Sequence, residues 1–335
     1  MSGSDGQLPV VVTGASGHIG ANLVRALLER GRRVRAVVHE NTAGVDGLPV
    51  EIVRADLLDP GAVLRACEGA ATVFHLAGKI SAGWIADDTV TTVNVTGTRN
   101  VVEACFAVGV RRLVHFSSIQ ALVARPDGDS FDEACELVSP SDPTRGAYDK
   151  AKAEAERMVQ GAVERGLDAV VVNPTAVIGP CDFQRSPLGE VLAALGRGKL
   201  PALVAAANCD YVDVRDVAEG ALLAEHRGRR GERYILSGVR LSLVDLAQRW
   251  ATAIGRAAPR FAVPMGLARV AAPFASALAR WRGRRPLFTT ESLRVLRDQR
   301  PAICLKAEVE LGYRARPIEE TLRDTCAWIK SQGWL

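Results

Sequence analysis

The sequence predicts an α/β fold: a doubly wound parallel sheet followed by a smaller C-terminal lobe. Three observations predict it. Short apolar, β-branched runs alternate with helical patterns as far as Pro180, the signature of a parallel sheet with helices on both faces. The runs are almost continuously apolar rather than alternating, as strands covered on both faces are. The first strand–helix junction carries glycines at a spacing that suits a phosphate-binding turn.

Taken in order, residues 9–15 (PVVVTGA) form the first strand and end in glycines. Asn22 to Arg30 has helical spacing, with Leu23, Ala26 and Leu27 on one face, and Gly31 stops it. Val34–Val38 and Val50–Val53 are the second and third strands, and a helix is expected from Pro60 to Cys67. Thr72–Leu76, a helix over Thr89–Val108, a strand over Arg112–Phe116, a helix over Tyr148–Arg165 and a strand over Asp168–Val172 follow. Beyond Pro180 the texture changes. Residues 181–210 read as loop-rich, and short helices are expected around Val244–Ile254, Ala268–Arg280 and Glu319–Ser331. The division expected is 1–180 for the first domain, with pieces returning from about 208–236, and 181–335 mainly for the second lobe.

Composition narrows the classes. With 48% hydrophobic and 24% charged residues, the chain of 335 is not a disordered one. Its net charge of +4 is too small for a nucleic-acid binder of this length. The seven cysteines include no C-x-x-C pair and read as free, mostly buried thiols in a reducing cytoplasm. Met1 to Leu8 is polar and gives no secretory signal. No stretch is apolar for long enough to suggest a membrane span. The basic cluster Arg280, Arg282, Arg284 and Arg285 follows an apolar helix. It reads as a solvated helix end or, more sharply, as a contact for a membrane surface or an acidic ligand.

Gly14-Ala15-Ser16-Gly17-His18-Ile19-Gly20 has the spacing G-x-x-G-x-x-G. The first glycine allows the tight turn, the second lets a pyrophosphate reach the backbone, and the third lets helix and strand pack closely. The free N–H groups of the helix start then face the phosphates.

Tyr148 and Lys152 are four apart on a helix and share a face. An ammonium near a phenol is expected to pull the tyrosine pKa below about 10, so that the phenol exchanges a proton near neutral pH. Ser117 and Ser118 stand at the end of the fifth strand, where such sheets bind ligands.

The set T-G-x-x-G-x-x-G, Asp56-Leu57, His75-Leu76-Ala77-Gly78, Asn94-Val95-x-Gly97-Thr98, Ser117-Ser118, Tyr148-x-x-x-Lys152 and Asn173-Pro174-Thr175 resembles the extended short-chain dehydrogenase/reductases, members of the NAD-dependent epimerase/dehydratase superfamily. The resemblance covers essentially the whole chain. It implies a Rossmann-type NAD(P)-binding domain with a smaller substrate-binding lobe. It implies Ser118 polarising the substrate oxygen, Tyr148 as acid/base, and Lys152 on the nicotinamide ribose and the tyrosine. By the same matching the cofactor would meet Gly14, Ser16, Gly17, His18, Ile19, Gly20 and Ser117. Asp56 and Leu57 would flank adenine, Leu76, Ala77 and Gly78 would line the middle, and Pro174 and Thr175 would sit by the nicotinamide. Asn94 would order the site through backbone contacts or cap a helix. Lys79, Gln120, Val123 and Tyr211 are the residues expected to meet substrate. No metal is expected.

Within the family the chain looks most like the dihydroflavonol-reductase and 3β-hydroxysteroid-dehydrogenase branch. The stretches Pro174-Thr175-Ala176-Val177-Ile178-Gly179-Pro180 and Leu311-Gly312-Tyr313-Arg314-x-Arg316-Pro317 fit its bacterial members. The nucleotide-sugar enzymes carry an asparagine where Ala176 stands and an arginine before the aspartate of 209–214, where Cys209 stands. Without that arginine a diphosphate loses a charge-assisted partner worth about 1.5–3 kcal/mol, although Arg185 or Arg282 is a candidate substitute. Val123 stands where flavonoid enzymes have asparagine, so a flavonoid is not expected. The resemblance thus implies hydride transfer between a ketone or aldehyde and an alcohol on a mainly apolar molecule. A nucleotide-sugar epimerase or dehydratase is the alternative, and a non-catalytic dinucleotide-binding regulator a remote one. The partners implied are a small carbonyl or alcohol and a second copy of the chain in a homodimer, with no nucleic acid.

The end of the second strand decides between cofactors. A carboxylate there favours NAD and repels the 2′-phosphate of NADP. Here the position is Val38, followed by His39, where NADP-preferring relatives carry arginine, and then Glu40. The expectation is NADP ahead of NAD.

Overall fold

The computed structural model describes residues 8–80, 87–125, 130–200, 202–205, 208–258, 261–281, 289, 293–294, 296 and 300–335. Strands β1 (Val10–Thr13), β2 (Val34–Val38), β3 (Glu51–Arg54), β4 (Thr72–His75) and β5 (Arg112–Phe116) are followed by a small ribbon, β6 (Leu122–Val123) and β7 (Glu136–Leu137). Then come β8 (Ala169–Pro174), β9 (Ala176–Ile178), β10 (Ala202–Val204), β11 (Asn208–Asp213), β12 (Arg233–Leu236), β13 (Val239–Ser242) and β14 (Phe261–Val263). The helices are α1 (His18–Glu29), α2 (Pro60–Cys67), α3 (Asp87–Val108), α4 (Ala147–Glu164), α5 (Pro187–Gly196), α6 (Val214–Arg227), α7 (Leu243–Ile254), α8 (Met265–Trp281) and α9 (Ile318–Ser331).

Seven strands form one sheet in the order β12-β8-β5-β4-β1-β2-β3, and every pairing in it is parallel. The predicted doubly wound Rossmann-like sheet is therefore present. The strand order reverses between β1 and β4, and the crevice at such a switch point is where these sheets bind ligands. The apolar runs have the reason expected of them. Val10 and Val12 pack on one face with Leu23, Leu27 and Leu222, while Val11 packs on the other with Val63, Val101 and Val159. Five cysteines, 67, 105, 135, 209 and 326, are buried among these layers and the second lobe.

The chain beyond Pro174 builds a second cluster around Trp250, Leu192, Leu246 and Ile329. It carries the small sheet β13-β11-β9 and the parallel pair β10-β14.

Two expectations need correction. Helix α1 starts at His18, not Asn22, because Gly17 already takes the extended N-cap conformation (φ −72°, ψ 171°). The stretch read as loop-rich contains α5. Its Ser186 cap accepts from the Gly189 N–H at 3.1 Å and Pro187 occupies the first turn. Pro187 signals a start there, not a break.

Candidate active site

Three strand ends deliver the site. The glycine turn leaves β1. Gly14 has φ +69°, and a Cβ on it would lie 2.7 Å from the Ala77 nitrogen. A Cβ on Gly20 would lie 2.2 Å from the Gly14 oxygen, whereas one on Gly17 would meet only that oxygen, at 3.2 Å. Gly14 and Gly20 thus serve the close approach of turn, helix and neighbouring strand, and Gly17 is less crowded, with a single tight backbone contact. Helix α1 has no side-chain cap and no carboxylate in its first turn, so its N–H groups face the crevice uncompensated. Ser16 Oγ accepts from the Gly44 N–H at 3.2 Å. His18 is tied elsewhere than expected: its Nε2 lies 3.2 and 3.1 Å from the carbonyls of Gly179 and Pro180. Its side chain fastens α1 to the loop after β9, which leaves its backbone for a phosphate. Ile19 packs against the first core layer.

Gly17→Val is expected to raise the dinucleotide Kd by at least about tenfold, the equivalent of about 1.4 kcal/mol, with Tm near wild type. Gly20→Val is expected to lose about 3 kcal/mol or more of stability. Titration and thermal melts of the two variants check the split, and equal melting losses would remove it.

The segment after β4 is pinned by a buried histidine. His75 Nδ1 lies 2.8 Å from Thr13 Oγ1, and Nε2 lies 3.0 Å from Thr98 Oγ1. The Thr98 hydroxyl itself donates to the Asn94 carbonyl at 2.6 Å, so it accepts from Nε2–H and the Thr13 hydroxyl donates to Nδ1. Burial and the Lys152 charge lower the His75 pKa to about 3, which keeps the ring neutral. Thr13 Oγ1 also accepts from the Ala77 N–H at 3.3 Å. Leu76, Ala77 and Gly78 are thereby fixed along the crevice. Asn94 lies inside α3 and is no helix cap. Its Nδ2 donates to the carbonyls of Lys79 and Val90, both at 2.8 Å. Its Oδ1, buried and without a hydrogen-bond partner among the described residues, lies where a Gly78 Cβ would be.

Beyond β5, Ser118 is extended (φ −158°, ψ 151°) and caps the short turn Ile119–Ala121, its Oγ accepting from the Gln120 N–H at 3.2 Å. The Ser118 side chain also hydrogen-bonds the Tyr148 phenol. Tyr148, Lys152 and Glu156 follow at four-residue steps on α4. The Lys152 ammonium donates to the Phe116 carbonyl at 2.8 Å. So Ser118, Tyr148 and Lys152 come together at the end of β5, as their spacing predicts.

The expected lowering of the tyrosine pKa is not found. Burial pushes the Tyr148 phenol up to about 12, with the Ser118 hydrogen bond opposing and the Asp149 charge adding. Burial also takes Lys152 down to about 8, against the pull of Glu156. Each group is short of water, and removing water disfavours phenolate and ammonium alike. The ammonium is spent on the Phe116 carbonyl.

A stability consequence follows. Between about pH 8 and pH 10.5 the unfolded chain holds a lysine proton that the folded one lacks, so this group's contribution to stability rises with pH there. Tyr148 acts oppositely above its ordinary value of 10.0. The stability of wild type relative to Lys152→Met is therefore expected to grow from pH 7 to pH 10. Denaturant titrations at both pH values check it, and a flat difference would contradict the lowering of the Lys152 pKa by burial.

Side chains that sequence reasoning did not single out hold this set in place. Asn173, on β8, donates from Nδ2 to Glu156 Oε2 at 3.0 Å and to the Ser118 carbonyl at 3.2 Å. Glu156, fully buried, pairs with Arg233 of β12 at 2.9 Å. Asp149, beside Tyr148, pairs with Arg294 at 2.6 Å. Asn173 was visible as part of a motif, but the partners Arg233 and Arg294 lie far away in sequence and gave no signal.

The remaining expected residues are distributed as follows. Ser117 Oγ and Thr175 Oγ1 are buried without a hydrogen-bond partner among the described residues, and Pro174 ends β8 beside them. Leu57 is buried, and a Cβ on Gly97 of α3 would lie 3.0 Å from its side chain. Asp56 lies 3.9 Å from His39 Nε2, both side chains being exposed. Gln120 and Val123 are half-buried beside Ser118, and Lys79 is exposed. Tyr211 is 1% exposed and sits inside the second apolar cluster, not on open surface.

The uncapped helix start behind Gly17 follows β1, Asn94 Oδ1 lies against Gly78 after β4, and Ser117 and Thr175 follow β5 and β8; among the described residues these three side-chain oxygens have no hydrogen-bond partner. These features fit a dinucleotide: the helix start and Gly17 would hold its phosphates, and the orphaned oxygens its nicotinamide end. Fold and site together define an NAD(P)-dependent oxidoreductase of the short-chain dehydrogenase/reductase type. The chain belongs to the NAD dependent epimerase/dehydratase family, whose model matches residues 10–237. It is 36% identical over 98% of its length to the whole of "Sterol demethylase protein B" of Methylococcus capsulatus. It is 35% identical over 97% of its length to a "Putative dihydroflavonol 4-reductase" of Synechocystis sp., covering 95% of that protein. Among solved structures it resembles gox2253, with a TM-score of 0.83 and 33% identity over 97% of this chain and 99% of that one.

Proposed function

We propose that the protein interconverts a ketone or aldehyde and an alcohol on a mainly apolar small molecule, with Ser118, Tyr148 and Lys152 at the reacting oxygen. The observation that carries this is the meeting of those three side chains at the β5 end of the dinucleotide crevice. A bound nicotinamide would supply or accept the hydride. The Ser118 hydroxyl donates to the carbonyl oxygen, and the Tyr148 phenol gives it a proton. With its pKa held near 12, the phenol stays protonated at neutral pH, the form needed for reduction. Lys152 holds the ribose, and the chain beyond Pro180 shapes the substrate side, where Gln120 and Val123 border Ser118.

The arginines of the second lobe favour this reading over a sugar-nucleotide one. Arg240 pairs with Asp210 at 2.8 Å, Arg215 with Asp213 at 2.7 Å and Arg316 with Asp216 at 2.8 Å. Arg185 lies 3.7 Å from Glu190 and over the Trp334 ring. Their charges are already matched, so a diphosphate would have to displace a carboxylate. Arg282 lies outside the described residues. The relative named a sterol demethylase protein also points to an apolar substrate class. The test follows reduced-cofactor absorbance with a panel of apolar ketones and aldehydes beside UDP- and dTDP-sugars. Consumption with the apolar carbonyls is expected. Sugar interconversion without net cofactor change would overturn the reading.

NADP is the proposed cofactor. Strand β2 ends at Val38 without a carboxylate, and His39 follows it directly. Arg54, opposite Val38 on β3, is exposed and donates to the Glu40 carbonyl at 2.8 Å. It is a cation beside the ribose position that sequence reading missed. His39→Arg is expected to raise the NADP over NAD ratio of kcat/KM and His39→Asp to lower it, each several-fold, the equivalent of about 1 kcal/mol. Asp56, already facing His39, limits the arginine gain. A ratio moving less than about twofold in both variants would place His39 away from the ribose.

A further inference from the structure

Helix α8 has two apolar faces, and only one is covered. Met265, Ala268 and Ala272 pack into the second cluster. On the other side, Leu267, Val270, Phe274 and Trp281 are between 63% and 82% exposed. At positions i, i+3, i+7 and i+14 these four fall within roughly 60° of arc, one continuous stripe. Phe261, on the neighbouring strand β14, is 72% exposed. Single exposed apolar residues need no explanation, but an aligned set of large ones marks an interaction surface.

Charge says what kind of surface covers it. From Ala251 to Thr290 the chain holds seven arginines (256, 260, 269, 280, 282, 284 and 285) and no lysine, aspartate or glutamate. The rest of the chain then has 35 basic against 38 acidic residues, out of totals of 42 and 38. The whole positive excess of the protein is concentrated around this helix. Within α8, Arg269 is exposed. An apolar stripe flanked by arginine, with a tryptophan at one end, is the pattern of a helix lying in a bilayer interface. Crossing is excluded by length: α8 has 17 residues, about 25 Å, and no helix among the described residues is long and apolar enough to span a membrane.

We propose that α8 docks the protein on an anionic lipid bilayer. Leu267, Val270, Phe274 and Trp281 enter the headgroup–acyl boundary, and exposed Arg269 pairs with lipid phosphate. The proposal stands on exposure and charge alone and holds whatever the enzyme's substrate is.

Co-sedimentation tests it with vesicles of phosphatidylcholine alone and of phosphatidylcholine with 30 mol% phosphatidylglycerol. The composition is set at roughly this value so that the anionic surface attracts each nearby arginine. Partitioning at least about tenfold higher on the anionic vesicles is expected at low salt, falling as salt rises. The double variant Phe274→Asp/Trp281→Asp is expected to lose at least about tenfold of that binding with an unchanged thermal melt. If it misfolds, Arg280→Gln/Arg282→Gln/Arg284→Gln/Arg285→Gln carries the test, since it changes charge and keeps all four stripe residues, and it should lose the anionic preference. Equal pelleting on both vesicle types, or variants that bind like wild type, would overturn the proposal. So would a lipid-free dimer in ultracentrifugation that dissociates in the variants while no form pellets with vesicles. The stripe would then be covered by a second copy of the chain.

Discussion

Tyr148→Phe is expected to lower kcat by about 10²–10⁴-fold, the usual contribution of a positioned proton donor, while cofactor affinity and melting temperature stay near wild type. The substitution deletes one hydroxyl that hydrogen-bonds Ser118 and leaves the ring in place on α4. In the proposed role the phenol acts on the reacting oxygen, so the loss is expected in turnover. Steady-state kinetics with a reactive ketone and a cofactor titration separate the two quantities. A variant with near-wild-type kcat would take the acid/base role away from Tyr148.

Arg233→Met is expected to cost about 3–5 kcal/mol of stability, a large share of the roughly 5–15 kcal/mol that a domain has. Glu156 is 0% exposed, and removing its partner at 2.9 Å strands a carboxylate away from water. Asn173 would remain its one described hydrogen-bond donor. The double variant Arg233→Met/Glu156→Leu is expected to recover most of the loss, since an apolar pair of similar volume is often as stable as a buried ion pair. Denaturant unfolding of wild type, single and double variants measures this. A loss below about 1 kcal/mol in the single variant would mean that water or Lys152 already compensates Glu156. The pair matters for the site because Glu156 orients Asn173, which holds the Ser118 carbonyl.

Much of this was legible in the amino-acid order because it is local. Pro60 and Gly31 punctuate helices in the sequence as they do in the fold, and α2 and β5 have the boundaries read from pattern. The glycine spacing placed a turn at Gly14, and the four-residue step put Tyr148 and Lys152 on one face. The misreadings were of two kinds. Helix α5 was hidden because Ser186-Pro187 looked like a loop when it was a cap and a first turn. Tyr211 was offered to substrate from its place in a motif, but that reading had no measure of burial.

The sequence by itself determined the alternation of elements, the doubly wound parallel sheet, the dinucleotide turn and the identity of the three side chains at the end of β5, because each depends on neighbours within a few residues or on a matched set of motifs. Only the tertiary structure decided which far-off partners complete them. Arg233 meets Glu156 and Arg294 meets Asp149 across 77 and 145 positions of chain, and Arg54 reaches Glu40 across a strand pair. It also decided the electrostatics. A tyrosine and a lysine one helical turn apart suggest a lowered phenol pKa, but burial removes water from both and reverses the shift, and burial is a property of the packed molecule that no spacing of residues records.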